Sequence, residues 1–186
     1  MGGPTKDTAQ EETRGSGETQ TEVSLPDGLV LRDLNGGDYS KGYMELLSQL
    51  TTIGTVTEEQ FKDRFGLLSQ RSSDYRIVVV EDTVSNRVVG TGTLLIEFKF
   101  LRSCGKVGHI EDIVVHSSMQ GKHLGHRASF LPCPSIFPPA RIIQTLTDIA
   151  KKQGCYKVIL DCDEKNVDFY KKCGYSVKNV GMALYF

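Results

Sequence analysis

No stretch of this 186-residue chain is apolar over the roughly 18 residues that a membrane-spanning helix needs, so no transmembrane segment is expected. Charge of one sign is not in excess either: 22 Lys and Arg stand against 23 Asp and Glu, a formal net charge of −1. A general nucleic-acid binder would show a basic surplus, so nucleic acid is not an expected partner; a local basic patch stays compatible with the balance. The segment Met1 to Leu25 is polar and has no apolar signal-peptide core. These absences predict a soluble, intracellular protein, with the cytoplasm as default compartment. Cysteines at metal-binding spacing are also missing. The five (Cys104, Cys133, Cys155, Cys162, Cys173) are odd in number and lack a CxxC pair. That argues against a zinc site and against a disulfide framework, and no metal is expected. The plain reading of each is a reduced small hydrophobe in or near the core.

What is present suits one domain with a real core, since a domain runs roughly 100–200 residues and a chain of this length buries about 70% of its unfolded surface. Residues 1–24 are rich in Gly, Thr, Glu and Gln and read as a disordered polar tail; residues 25–186 are the domain. Gly28–Leu34 reads as a short strand. Tyr43, Leu46, Leu47 and Leu50 recur at helical spacing, which predicts a helix from Asp38 to Leu50 with Asp38 as N-cap. Thr57 followed by Gln60 is a capping box for a second helix, Glu58–Leu68. The period then switches. Tyr75–Asp82 and Arg87–Phe98 are β-branched and apolar around a turn at Thr83–Asn86, which predicts an antiparallel hairpin, and Gly108–Val115 is a further strand. Arg141–Lys152 is an amphipathic helix closed by Gly154. Lys157–Cys162 has little alternation, as a buried central strand should. Asn166 can cap a short helix, Val167–Lys172, that stops at Gly174, and Tyr175–Val177 and Met182–Phe186 can close the sheet. The expected class is α/β or α+β.

The strongest local signal is Gln120-Gly121-Lys122-His123-Leu124-Gly125, between the Gly108–Val115 strand and a helix. Glycines let the backbone curl so that successive N–H groups converge. With a helix N-terminus behind them they form an anion site suited to a pyrophosphate. An ordinary glycine-containing turn is the bland alternative. The hexapeptide loosely fits the Q/R-x-x-G-x-G/A coenzyme loop of the GNAT acyl-CoA transferases, which the sequence resembles. The resemblance is narrower still. LTTIGTV (50–56), EFKFLRSCGKVGHIEDIVV (97–115), GCYKVILDC (154–162) and KNVDFYKKCGY (165–175) look like the glucosamine 6-phosphate N-acetyltransferases, over about Leu29 to Met182.

That resemblance implies a GNAT fold, a central mixed sheet flanked by helices. It implies acetyl transfer from acetyl-CoA to the 2-amino group of glucosamine 6-phosphate, in UDP-N-acetylglucosamine biosynthesis, by a homodimer. It also allows peripheral association with endomembranes. By position, Tyr170 matches a tyrosine near the CoA sulfur that serves as proton donor; without the family it reads as a core aromatic beside Phe169. Asp161 matches an acidic residue that holds or deprotonates the ammonium, and burial would raise its pKa; a solvated strand-end carboxylate is the alternative. Glu111, Asp112 and Ile113 match residues at the sugar, the first two otherwise reading as structural ionic partners, and the backbone of Ile113, Val114 and Val115 would run beside the pantetheine. Thr51 matches a substrate contact. Lys99, Phe100, Leu101 and Arg102 match the substrate segment, where the two cations would meet a sugar phosphate; a solvated loop is the alternative. Tyr156 and Lys157 match a pair supplied by a second subunit. Gly121, Lys122, His123, Leu124, Gly125 and His126 are the coenzyme loop, and Asn166 matches a coenzyme-side residue that an N-cap explains equally well. Transfer is expected to be direct, because Cys162 and Cys173 have no His nearby in sequence to support an acyl-enzyme.

Two departures interrupt the pattern. The resemblance places a helix directly after the loop glycine, but here His126–Pro139 intervenes, with prolines at 132, 134, 138 and 139 that forbid a continuous helix. The segment reads as a functional loop or as the product of splicing or gene-model error. Its Phe, Leu, Pro, Ser and Ile content, matching pyrimidine-rich codons, favours the latter. A catalytically impaired chain that only dimerises is therefore one alternative function, and a GNAT enzyme acting on a protein amine is another. The second departure is the end of the chain, Met182–Phe186, which lacks the basic residue many relatives carry.

Overall fold

The computed structural model describes residues 21–119 and 138–185. The expectations for Gly121, Lys122, His123, Leu124, Gly125 and His126, for the tail before Thr21 and for insertion residues before Pro138 lie outside the described residues. Six strands form one sheet in chain order: β1 (Glu22–Ser24), β2 (Leu29–Asp33), β3 (Tyr75–Asp82), β4 (Arg87–Phe98), β5 (Lys106–Val115) and β6 (Cys155–Ile159). Neighbours are antiparallel through β5, and β5 and β6 are parallel. A parallel pair needs a crossover long enough to return the chain to the same end; α4 (Pro138–Lys152) supplies it. The remaining helices are α1 (Tyr43–Leu47), α2 (Glu58–Ser69), the single turn α3 (Leu101–Cys104) and α5 (Val167–Lys172).

Strand alternation divides the core between two faces. Val78 and Val80 of β3 point to one side, where Leu31, Leu94, Ile110 and the α4 residues Ile142, Ile143 and Leu146 join them, all essentially inaccessible. Val79 points the other way, into a smaller cluster with Tyr43 and Leu46 of α1, Phe61 of α2, Val88 and Val114. The sheet is thus the middle of three layers. The capping box of α2 forms as its spacing predicts: Gln60 N–H donates to Thr57 Oγ1 at 3.2 Å and the Gln60 amide oxygen accepts from Thr57 N–H at 2.9 Å.

Several expectations are corrected. Asp38 does not cap a long helix. Its carboxylate is fully buried and takes two hydrogen bonds from Arg32, at 2.7 and 2.9 Å, and one from the Asn35 N–H at 2.8 Å. Arg32 also holds Glu81, at 2.6 Å, and Lys41 reaches the same carboxylate at 2.6 Å. This network draws residues 38–42 into turns, so the helix starts only at Tyr43, after Gly42 at φ +83°. Residues 22–24, read as part of the polar tail, pair with β2. β6 is shorter than the expected Lys157–Cys162 strand. It is partly exposed rather than buried and central, because it has a described partner on one side only. The strands expected at Tyr175–Val177 and Met182–Phe186 are absent among the described residues; Val177, Val180, Met182, Leu184 and Tyr185 are exposed. Pro138 and Pro139, assigned to the insertion, open α4, where the first turn needs no N–H from them and their fixed φ suits a helix start.

Candidate active site

The site begins where two strands part. Pairing between β5 and β6 ends at His109 and Ile159, while β5 runs on to Val115. Opposite this free length, the register between β4 and β5 shifts between Thr91 and Thr93. A bulge of this kind bends a strand and re-aims its side chains. Asp112 takes up the bend at φ +54°, a left-handed conformation uncommon outside glycine. Gly92 stands at the shift, and a Cβ there would collide with Ile113 and come within 2.6 Å of Ile142. The absent side chain is what lets Ile113 pack toward α4.

Between the parted strands lies a cleft of about 300 Å³, lined by Leu50, Ile110, Glu111, Asp112, Ile113, Asp161, Cys162, Asp163, Asn166 and Tyr170. β5 supplies Ile110 to Ile113, the end of β6 leads into Asp161 to Asp163, and α5 places Asn166 and Tyr170. Glu111 opens onto the cleft, yet partial burial pushes its carboxyl above the usual range, and the charges of Asp161 and Asp112 add to that rise. Tyr170 is half-buried against Phe169 and Tyr175, with ring centroids 5.2 and 6.3 Å away. Burial, with Cys162, Cys173 and Tyr175 nearby, pushes its hydroxyl up to about 12. It therefore stays protonated across the neutral range and is available as a donor. Tyr75, on β3, is raised by burial first and then by Asp112.

The structure thus brings together Asp161, Tyr170, Glu111, Asp112, Ile113 and Asn166. Glu111 and Asp112 are exposed at the cleft rather than a buried pair, and among the described residues they form no salt bridge. Asp161 is exposed as well, so the burial expected of it is not found in a single chain. Asn166 sits at the N-cap of α5 but makes no side-chain cap bond. Val114 and Val115 face the core, leaving only their backbone toward the parting strands. Thr51 is exposed beside the cleft residue Leu50.

The other expected residues stand apart. Lys99 is bound to Glu97, and Phe100 and Leu101 are 96% and 70% exposed. Arg102 lies 5.7 Å above the Tyr156 ring, and Lys157 5.9 Å from the same ring. These residues form an apolar and cationic surface outside the cleft. Arg102, Ser103 and Cys104 all have positive φ, near +55°, a strained turn of the kind that gathers at functional segments. Sequence reasoning missed Leu50, Ile110, Cys162 and Asp163 as cleft residues. The signal available was adjacency: Leu50, Ile110 and Cys162 each adjoin a residue that was singled out, and Asp163 lies two residues past Asp161.

A family model described as acetyltransferase (GNAT) family matches residues 41–175. The chain belongs to the GNAT acetyltransferase family. This GNAT chain is 44% identical to the glucosamine 6-phosphate N-acetyltransferase of Arabidopsis thaliana over 162 residues, 87% of this chain and 99% of the relative. It is 43% identical to glucosamine 6-phosphate N-acetyltransferase 1 of Dictyostelium discoideum over 161 residues, 87% of this chain and 93% of the relative. Its structure resembles the crystal structure of the Arabidopsis thaliana enzyme with a TM-score of 0.75 at 43% identity, covering 85% of this chain and 98% of that one. A Trypanosoma brucei acetyltransferase structure is similar at a TM-score of 0.71 and 32% identity, over 85% of this chain and 99% of that one. The mixed six-stranded sheet with flanking helices is the GNAT fold. No helix among the described residues is long and apolar enough to cross a membrane.

Proposed function

We propose that this GNAT acetyltransferase moves an acetyl group from acetyl-CoA to the 2-amino group of glucosamine 6-phosphate, the reaction named for its relatives, and so serves UDP-N-acetylglucosamine formation. The observation that carries the reading is the cleft between β5 and β6, lined by four carboxylates, Glu111, Asp112, Asp161 and Asp163, and one tyrosine, Tyr170. Carboxylates attract the ammonium form of an amine and can take its proton. The length of β5 that has left β6 offers backbone groups to an extended pantetheine. Acetyl-CoA supplies the activated thioester. Tyr170 serves the departing sulfur as a hydrogen-bond donor. Burial makes the phenol hold its proton more firmly, so a hydrogen bond to the sulfur is its easier task. In this reading Asp161 holds the substrate nitrogen.

The exposed surface of Phe98, Phe100, Leu101 and Tyr156, with the exposed apolar residues Val177, Val180, Met182, Leu184 and Tyr185, supports a homodimer. There the segment Lys99–Arg102 and the pair Tyr156–Lys157 would reach a partner's cleft and meet the sugar phosphate. The test is release of free CoA from acetyl-CoA, dependent on glucosamine 6-phosphate, by the full chain and by Asp161→Asn. Wild type is expected to turn over. Asp161→Asn is expected to keep CoA binding and lose activity, most at lower pH where the amine is protonated. Equal activity of the two across pH 6 to 9 removes Asp161 from that role.

A further inference from the structure

The carboxylate cleft has a neighbour that the proposed reaction does not use. His109 lies two residues before Glu111 on β5, and strand alternation puts both on one face of the sheet. The register places Leu95 opposite His109 and Thr93 opposite Glu111. His109 is anchored: its Nε2 is 2.9 Å from Glu97 Oε2 on β4, and Glu97 is also bonded by Lys99. Glu97 is held below the usual carboxylate range by Lys99 first and then by His109, so it is an anion throughout the neutral range. A carboxylate only accepts, so Nε2 is the donor to Glu97.

The groups around this pair have opposite effects on Glu111. Asp161, beyond the end of β6, and Asp112, on β5, make its negative charge harder to hold; His109 makes it easier. On β3, Tyr75 is pushed up by burial and by the charges of Asp112 and Glu111, and Arg64 of α2 opposes that rise. Among the described groups acting on Glu111, His109 is the one that can bring a positive charge.

We propose that His109, fixed by Glu97, is a positioning residue that keeps Glu111 anionic in a cleft already crowded with carboxylates, and so sets the pH range over which the cleft receives an ammonium substrate. The substrate half of this inference rests on the proposed acetyl transfer to an amine. Replacing the ring with a neutral amide removes the opposing charge. Replacing it with a guanidinium makes that charge permanent.

The experiment follows Glu111 directly by carbon-detected NMR titration of the side-chain carboxyl in the full chain, in His109→Gln and in His109→Arg. In parallel, kcat/KM for glucosamine 6-phosphate is measured against pH. In His109→Gln the Glu111 titration and the acid limb of kcat/KM are expected to move up together by about half a unit to one unit, as loss of a nearby charge predicts. That is on the order of a three- to tenfold loss of kcat/KM on the acid side, with little change above the limb. His109→Arg is expected to return both to the wild-type position or below. A Glu111 titration that is the same in wild type and His109→Gln overturns the proposal. A titration that moves while the acid limb stays still overturns its substrate half. Absence of turnover in wild type counts against the proposed reaction instead, and the NMR arm still decides the role of His109.

Discussion

Tyr170 shows how one side chain answers to two demands. Its ring packs with Phe169 and Tyr175, as a core aromatic would, and its position on α5 also makes it part of the cleft wall. Tyr170→Phe keeps the packing and removes only the hydroxyl. The expected outcome is a kcat lower by about 10²–10³-fold with a smaller change in KM, since the bond to sulfur develops in the transition state. Steady-state kinetics on folded protein checks it; unchanged kcat leaves Tyr170 as packing alone. Glu81 answers to stability. Burial by itself would push its carboxyl up, but hydrogen bonds from Lys41 and Arg32 outweigh this and hold it below the ordinary range. A carboxylate depressed in the folded state contributes stability above its unfolded pKa and loses it as pH falls through the folded value. Glu81→Gln is therefore expected to cost about 1–3 kcal/mol at neutral pH, with the gap to wild type closing toward acid. Urea unfolding at pH 7 and pH 4 reads both. A gap that widens at pH 4 contradicts the assignment.

At the scale of elements, the junction of β4, β5 and α4 connects packing to the cleft. Gly92 has no side chain where Ile113, Ile142 and Leu146 converge, and Ile113 adjoins the left-handed Asp112 that turns the strand. Gly92→Ala is expected to destabilise by about 1–3 kcal/mol through overpacking. Moving Ile113 should also disturb Asp112 and Glu111, so kcat/KM is expected to fall even where the protein is fully folded. Thermal unfolding and kinetics on the same preparation test the coupling. Normal kinetics with lowered stability would confine Gly92 to the core.

At the scale of the whole molecule, the crossover from β5 to α4 carries the hexapeptide expected to meet the coenzyme. The helix begins at Pro138, earlier than its apolar periodicity shows. Removing His126–Pro139 takes the two opening prolines from α4, joins Gly125 to the helix at Ala140 and sets a helix N-terminus, worth about 0.3–1 kcal/mol to a nearby anion, directly after that glycine. Acetyl-CoA affinity is expected to rise, by up to about two to five decades if two or three charge-assisted hydrogen bonds return. Calorimetric titration of both chains with acetyl-CoA measures it. Equal affinity makes the segment a tolerated surface loop, and tighter binding by the full chain makes it a working part of the site.

Patterns local to the chain were legible in the sequence alone. The hairpin Tyr75–Asp82 and Arg87–Phe98 and the capping box at Thr57 stand where periodicity and capping chemistry put them, and the helix Val167–Lys172 forms as expected, though without a cap bond from Asn166. Each depends on neighbours within a few residues. Resemblance in the motifs around Glu111, Asp161 and Tyr170 also marked residues that share one cleft. Tertiary structure decided the rest. Asp38 reads as a cap until Arg32, itself held by Glu81 on the neighbouring strand β3, takes its carboxylate, because a buried charge goes to the partner that neutralises it. β6 reads as buried until the topology puts it where the described sheet ends. The cleft itself exists because two parallel strands stop pairing at His109 while a bulge bends one of them. No local pattern records that parting, since it depends on which strands become neighbours and on the side chains that close over Gly92.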